Sequence, residues 1–184
     1  MYAARDSDDI DRFFRGLTEH AFHARLGVVD PPLVDYVSLL LVRFIRNDRM
    51  AGLPGDGPAA IDPPAGGRVG IDPVARMLSI PEEAPQASAR AEYRHIGDYT
   101  LFWSGLYPEA VRRLRHRGRP DRLLDYREAG RRAYWIASTI GPAEAADESR
   151  LLRRLSHDFD LCVEGLAEVR RTWDEPPPDV APRD

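Results

Sequence analysis

Leu152, Leu155, Phe159, Cys162, Leu166 and Val169 follow one another in alternating steps of three and four residues, with Leu151 beside the first. That spacing places every one of them on a single helical stripe, which has to be covered by other apolar surface. The same period runs through Ile10, Phe13, Phe14, Leu17, Ala21 and Ala24, and Gly27 then stops the chain. This predicts a first helix from Ser7 or Asp8 to about Arg25 and a last helix over about 148–172. Asp30-Pro31 reads as an N-cap followed by proline in the first helical position. It opens a helix over about 31–48 with Leu33, Tyr36, Val37, Leu40, Leu41, Phe44 and Ile45 spread over a wide arc. So wide an arc predicts the central helix of a bundle.

A long helix is expected over about 85–116, bent near Gly105 or Pro108. Another follows over about 121–140, with Tyr126, Ala129, Gly130, Ala133, Ala137 and Ile140 inward. Small residues at that spacing let a neighbouring helix come close. The second of two Ile-Asp-Pro triplets caps a short helix holding Val74, Met77 and Leu78. Residues 51–70 are half glycine and proline, which excludes a packed helix or regular strand and predicts a flexible loop. The proline-rich, charged end, 174–184, is expected to be a disordered tail. No segment alternates with period two. The expectation is an all-α fold, a bundle of about five long helices plus one short helix, forming a single helical domain over 1–173 with the 51–70 loop inside it.

Composition narrows the chemistry. All 26 basic residues are arginine, so no lysine exists for a Schiff base, pyridoxal phosphate or a Walker-type phosphate loop. A net charge of -4 carries no general attraction to nucleic acid or anionic lipid. Cys162, the single cysteine, rules out an internal disulfide and falls on the apolar stripe as a buried, inert thiol. The polar N-terminal segment lacks an apolar signal core, and the run Val37–Val42 is far too short to span a membrane. Cytoplasmic residence without a membrane partner is therefore expected.

The stretch "EYRHIGDYTLFW" carries the sharpest suspicion. With the helical stripe centred on Tyr99, Trp103 and Leu106, Glu92 and His95 both point inward. This is the geometry of the Glu-x-x-His element by which carboxylate-bridged di-metal bundles hold a metal, although such bundles carry two copies and this chain has one. Asp158, on the edge of the last stripe, and His20, at the margin of the first, complete a set able to take Fe, Mn or Zn. The competing reading makes His95 a hydrogen-bonded core residue on Asp158 or Glu92, with Tyr36, Tyr99 or Arg43 as a further partner.

Arg112, Arg113, Arg115, Arg117 and Arg119 form a basic run that could hold an anion, or that complements the carbonyl end of a helix. Trp135 and Leu124 lie opposite the small-residue stripe and together mark a partner surface. Ser104 and Ser138 have no histidine at a diagnostic spacing, so no catalytic residue is assigned. The function expected is a non-catalytic protein-interaction or self-association module, the alternative being a metal-binding helical-bundle oxidoreductase built on Glu92, His95 and Asp158.

Overall fold

The computed structural model describes residues 3–50, 73–113 and 122–174, and every regular element among them is helical. The 51–70 loop, most of the C-terminal tail and Arg115, Arg117 and Arg119 lie outside the described residues. The chain opens with α1 (Ala3–Glu19), which widens into a π-helical turn over His20–Arg25. That turn buries Phe22 completely, and its ring packs against Gly165. Gly27 takes φ +66°, which ends the turn as the sequence implied. Asp30 then caps α2 (Pro31–Met50), its Oδ1 accepting from the Leu33 amide at 3.4 Å.

The short α3 (Pro73–Leu78) precedes α4 (Gln86–Leu106) and α5 (Pro108–Arg113). The expected bend falls at Tyr107, whose φ of -132° and ψ of 53° leave the helical region. Proline crowds the residue before it out of that region, so Pro108 sets the break. The remaining elements are α6 (Arg122–Thr139), a 3₁₀ turn (Ala143–Ala145), α7 (Ala146–His157) and α8 (Phe159–Asp174). The last helix expected as one piece is thus two, parted at Asp158 (φ -97°, ψ 25°). The offset is local: Asp158 donates its amide to Arg154 O at 2.8 Å and accepts from the Cys162 amide at 2.9 Å. Leu152, Leu155, Phe159, Cys162, Leu166 and Val169 all stay buried across it.

The centre of the bundle is α4, where the wide apolar arc had pointed to α2. Residues 100–107 are buried without exception, whereas α2 leaves Asp35 and Leu39 on its outer side and Arg43 half-exposed at its edge. The physical reason lies in residue size. Gly97, Thr100, Ser104 and Gly105 let α4 be covered from all sides, and a hydropathy pattern does not count them as core. The small stripe of α6 works as expected, with Gly130 pressed on Thr100 of α4 and on the Phe159 ring. No helix among the described residues is long and apolar enough to cross a membrane.

Phe159 has no exposed surface and sits against both Gly130 and Tyr134. Phe159→Ala is expected to lower stability by about 3–5 kcal/mol, while Phe13→Ala, at a side chain 51% exposed, changes it by less than about 1 kcal/mol. Urea unfolding followed by circular dichroism reads both.

Candidate functional site

Tyr36 and Arg43 stand two helical turns apart on α2, so they share a face. Both reach the same residue of α4. Asp98 is 2% exposed, and its Oδ1 accepts from the Tyr36 hydroxyl at 2.6 Å while its Oδ2 accepts from Arg43 at 3.0 Å. From α6, the wholly buried Tyr134 donates to Asp98 Oδ1 at 2.8 Å. Gly97 makes that approach possible, because a Cβ there would lie 2.6 Å from the Tyr134 ring. The two tyrosine rings meet edge to face with centroids 6.4 Å apart.

A second layer surrounds this carboxylate. Arg94, one turn before Asp98, donates its Nε–H to the Tyr36 oxygen at 3.1 Å and lies over the Tyr36 ring at 5.4 Å. Its other arm meets Glu148 of α7 at 2.7 Å. Arg90, buried one turn earlier, reaches the same Glu148 at 3.1 Å and Ser149 at 3.0 Å, and donates to the Ile140 carbonyl. One hydrogen-bonded cluster therefore ties together α2, α4, α6 and α7.

Burial pushes the Asp98 carboxyl above its usual range, against the donors from Tyr36, Arg43 and Tyr134 and the charge of Arg94. Burial, then the nearby Asp98, likewise raises both tyrosine hydroxyls well above the ordinary value. They therefore keep their protons and remain donors. A carboxylate offers about four lone-pair sites, and the two tyrosines and Arg43 occupy three of them here. Elsewhere, burial followed by Asp158 and Asp30 pushes the Cys162 thiol up to about 12, which makes it a poor nucleophile.

The residues suspected from sequence are dispersed. His95 is exposed, which corrects the expectation that it points inward, and its ring lies 6.4 Å from Tyr99. Glu92 is half-buried and bonded to Arg76 of α3 at 2.7 Å. Asp158 faces His157 at 2.7 Å and Arg154 at 3.3 Å, and His20 is exposed in the π-helical turn. Among the described residues no three His, Cys, Asp or Glu side chains are grouped to hold a metal ion. The phase failed because the aromatics set the centre of the stripe. In the N-terminal half of α4 the buried side is marked instead by Arg90, a charged residue with its own acidic partner. Of the other candidates, Trp135 is 54% exposed and Arg112 is exposed, while the side chains of Leu124 and Arg113 lie outside the described residues.

Asp98 escaped sequence reasoning, though a trace of it was present. Tyr36 and Arg43 on one face of an otherwise apolar helix require a polar partner across the interface. No family model, curated protein or solved structure matches the chain.

Removing one partner from a buried charged cluster leaves the others uncompensated. Asp98→Ala should lower stability by about 3–5 kcal/mol, and Tyr36→Phe by about 1–3 kcal/mol, measured by urea unfolding. Alkaline pH tests the same cluster. The hydroxyls of Tyr36 and Tyr134 hold their protons more tightly folded than unfolded. The stability this confers is whole below the unfolded value of about 10 and is lost as pH rises toward the folded values. In an ultraviolet titration these two tyrosines should ionise only together with unfolding. Ionisation of every tyrosine before the helical signal falls would contradict the assignment.

Proposed function

We propose that the chain is a non-catalytic protein-interaction domain that associates with a second copy of itself through the outer face of α6. The observation that supports this reading is Trp135. It is 54% exposed near the C-terminal end of a helix whose neighbouring Ala133, Tyr134 and Ala137 are buried. A tryptophan left in water forgoes the burial that large aromatic side chains otherwise contribute, and such residues are enriched at contact surfaces. Glu128 and Arg132 are exposed along the same stripe, so the face carries both signs of charge and suits a self-complementary pairing. The nucleophile candidates also favour a non-catalytic reading, since Ser104 and Cys162 are buried.

Fe, Mn or Zn chemistry at Glu92, His95, Asp158 and His20 draws less support, because arginines hold the two carboxylates and both histidines stand exposed.

Light scattering after size exclusion decides between association and its absence. The wild-type chain should show a mass that rises with concentration toward that of a dimer. Trp135→Ser should stay monomeric with an unchanged helical spectrum. A wild-type monomer at every concentration, or an unchanged dimer in the variant, would remove this reading.

A further inference from the structure

We infer that Arg43 and Arg94 form a binding site for a small oxyanion, a phosphate or carboxylate group, at the seam between α2 and α4. This site is separate from the Trp135 face and does not depend on it. Each guanidinium is held by a buried group and yet reaches water. Arg43 is 46% exposed with its NH2 on the nearly inaccessible Asp98, and Arg94 is 35% exposed with its Nε on the buried Tyr36 hydroxyl. Tyr36 and Asp98 are themselves bonded at 2.6 Å, so three consecutive hydrogen bonds connect one guanidinium to the other.

Charge and donor geometry set the sign of the ligand. Among the described residues, Arg43, Arg90 and Arg94 face Asp98 and Glu148, which leaves one positive charge in excess. Among the described residues, Arg43 commits only its NH2, and Arg94 only its Nε and NH1. A guanidinium carries five N–H donors in a rigid fork, so both keep N–H groups that no described residue engages. Forks of this kind match the paired oxygens of phosphate and carboxylate.

The carboxylate of Asp98 lies at the buried end, beneath the arginines. An anion arriving at Arg43 therefore meets the guanidinium before Asp98, while at Arg94 it shares the cation with Glu148, itself 39% exposed. Replacing a buried ionic cluster by apolar side chains is often neutral or stabilising. What Asp98 supplies here beyond stability is position, because it and Tyr36 hold the two arginines in place before any ligand arrives.

A comparison inside the molecule sharpens the point. Glu168 also holds two arginines, Arg25 and Arg171, but these are 57% and 67% exposed. Arg171 therefore serves as a control for unspecific attraction. The probes are inorganic phosphate and acetate, titrated at constant ionic strength against sodium chloride and followed by the arginine Nε–H signals in nuclear magnetic resonance.

The signals of Arg43 and Arg94 should move saturably with at least one of the two anions, and the stronger one identifies a phosphate or a carboxylate ligand. Calorimetry should then show binding weakened about tenfold or more in Arg43→Gln and in Arg94→Gln, and unchanged in Arg171→Gln. The wild-type signals locate the site even where a variant fails to fold. Shifts that do not saturate with either anion, or that are equal at Arg171, would overturn the inference.

Discussion

A carboxylate that reaches the middle of a helical bundle has to be met there by donors, and in this protein the packing of four helices follows from that need. Asp98 sits on the most enclosed helix, 2% exposed. Leaving such a charge unpaired would cost several kcal/mol. Its partners come from α2 and α6, with α7 joined through Arg94 and Glu148. Hydrogen bonds are directional where apolar contact is not. The cluster therefore specifies which faces of these helices meet, and the apolar residues around it supply most of the favourable burial.

The same requirement explains several local choices that look unrelated. Gly97 clears room for the Tyr134 ring, and Gly130 lets α6 press on Thr100 one turn further along α4. The raised hydroxyls of Tyr36 and Tyr134 keep both residues as donors. The arginines divide into those held by buried partners, such as Arg43 and Arg94, and those in surface pairs such as Arg131 with Asp160. Only the first group is fixed well enough to present a defined pattern of donors to solvent. The proposed contact surface at Trp135 lies on the other side of α6 from the small residues that pack toward α4.

Much of the architecture was legible from spacing alone. The stripe from Leu152 to Val169 is buried in full, Gly27 and Pro108 stop helices where their backbone chemistry requires, and Asp30 caps α2. The candidate site was far less legible. Asp98 stands one residue from the apparent stripe centre at Tyr99, and a count of apolar residues assigns it to the surface. His95, chosen by the same count, is the exposed one. The count failed for one reason at both positions. It takes the aromatics as the centre of the stripe, and in this half of α4 the neighbours cover another side, bringing donors for Asp98 and leaving His95 to water.

The sequence by itself determined that the chain is helical, where most helices begin and end, and which apolar stripe α2, α6 and the α7–α8 pair turn inward, whereas Phe13 and Ala24 of the first stripe stand exposed. These follow from backbone propensities and a period of 3.6 residues, both local properties. Only the tertiary structure decided that α4 rather than α2 is central and that Tyr36, Arg43, Arg94, Asp98, Tyr134 and Glu148 belong to one cluster. Directly bonded members of the cluster lie as many as 62 positions apart, as Tyr36 and Asp98 do. Their meeting depends on how close the helices come and at what rotation. Interhelical packing sets both, through residues as small as Gly97 and Gly130.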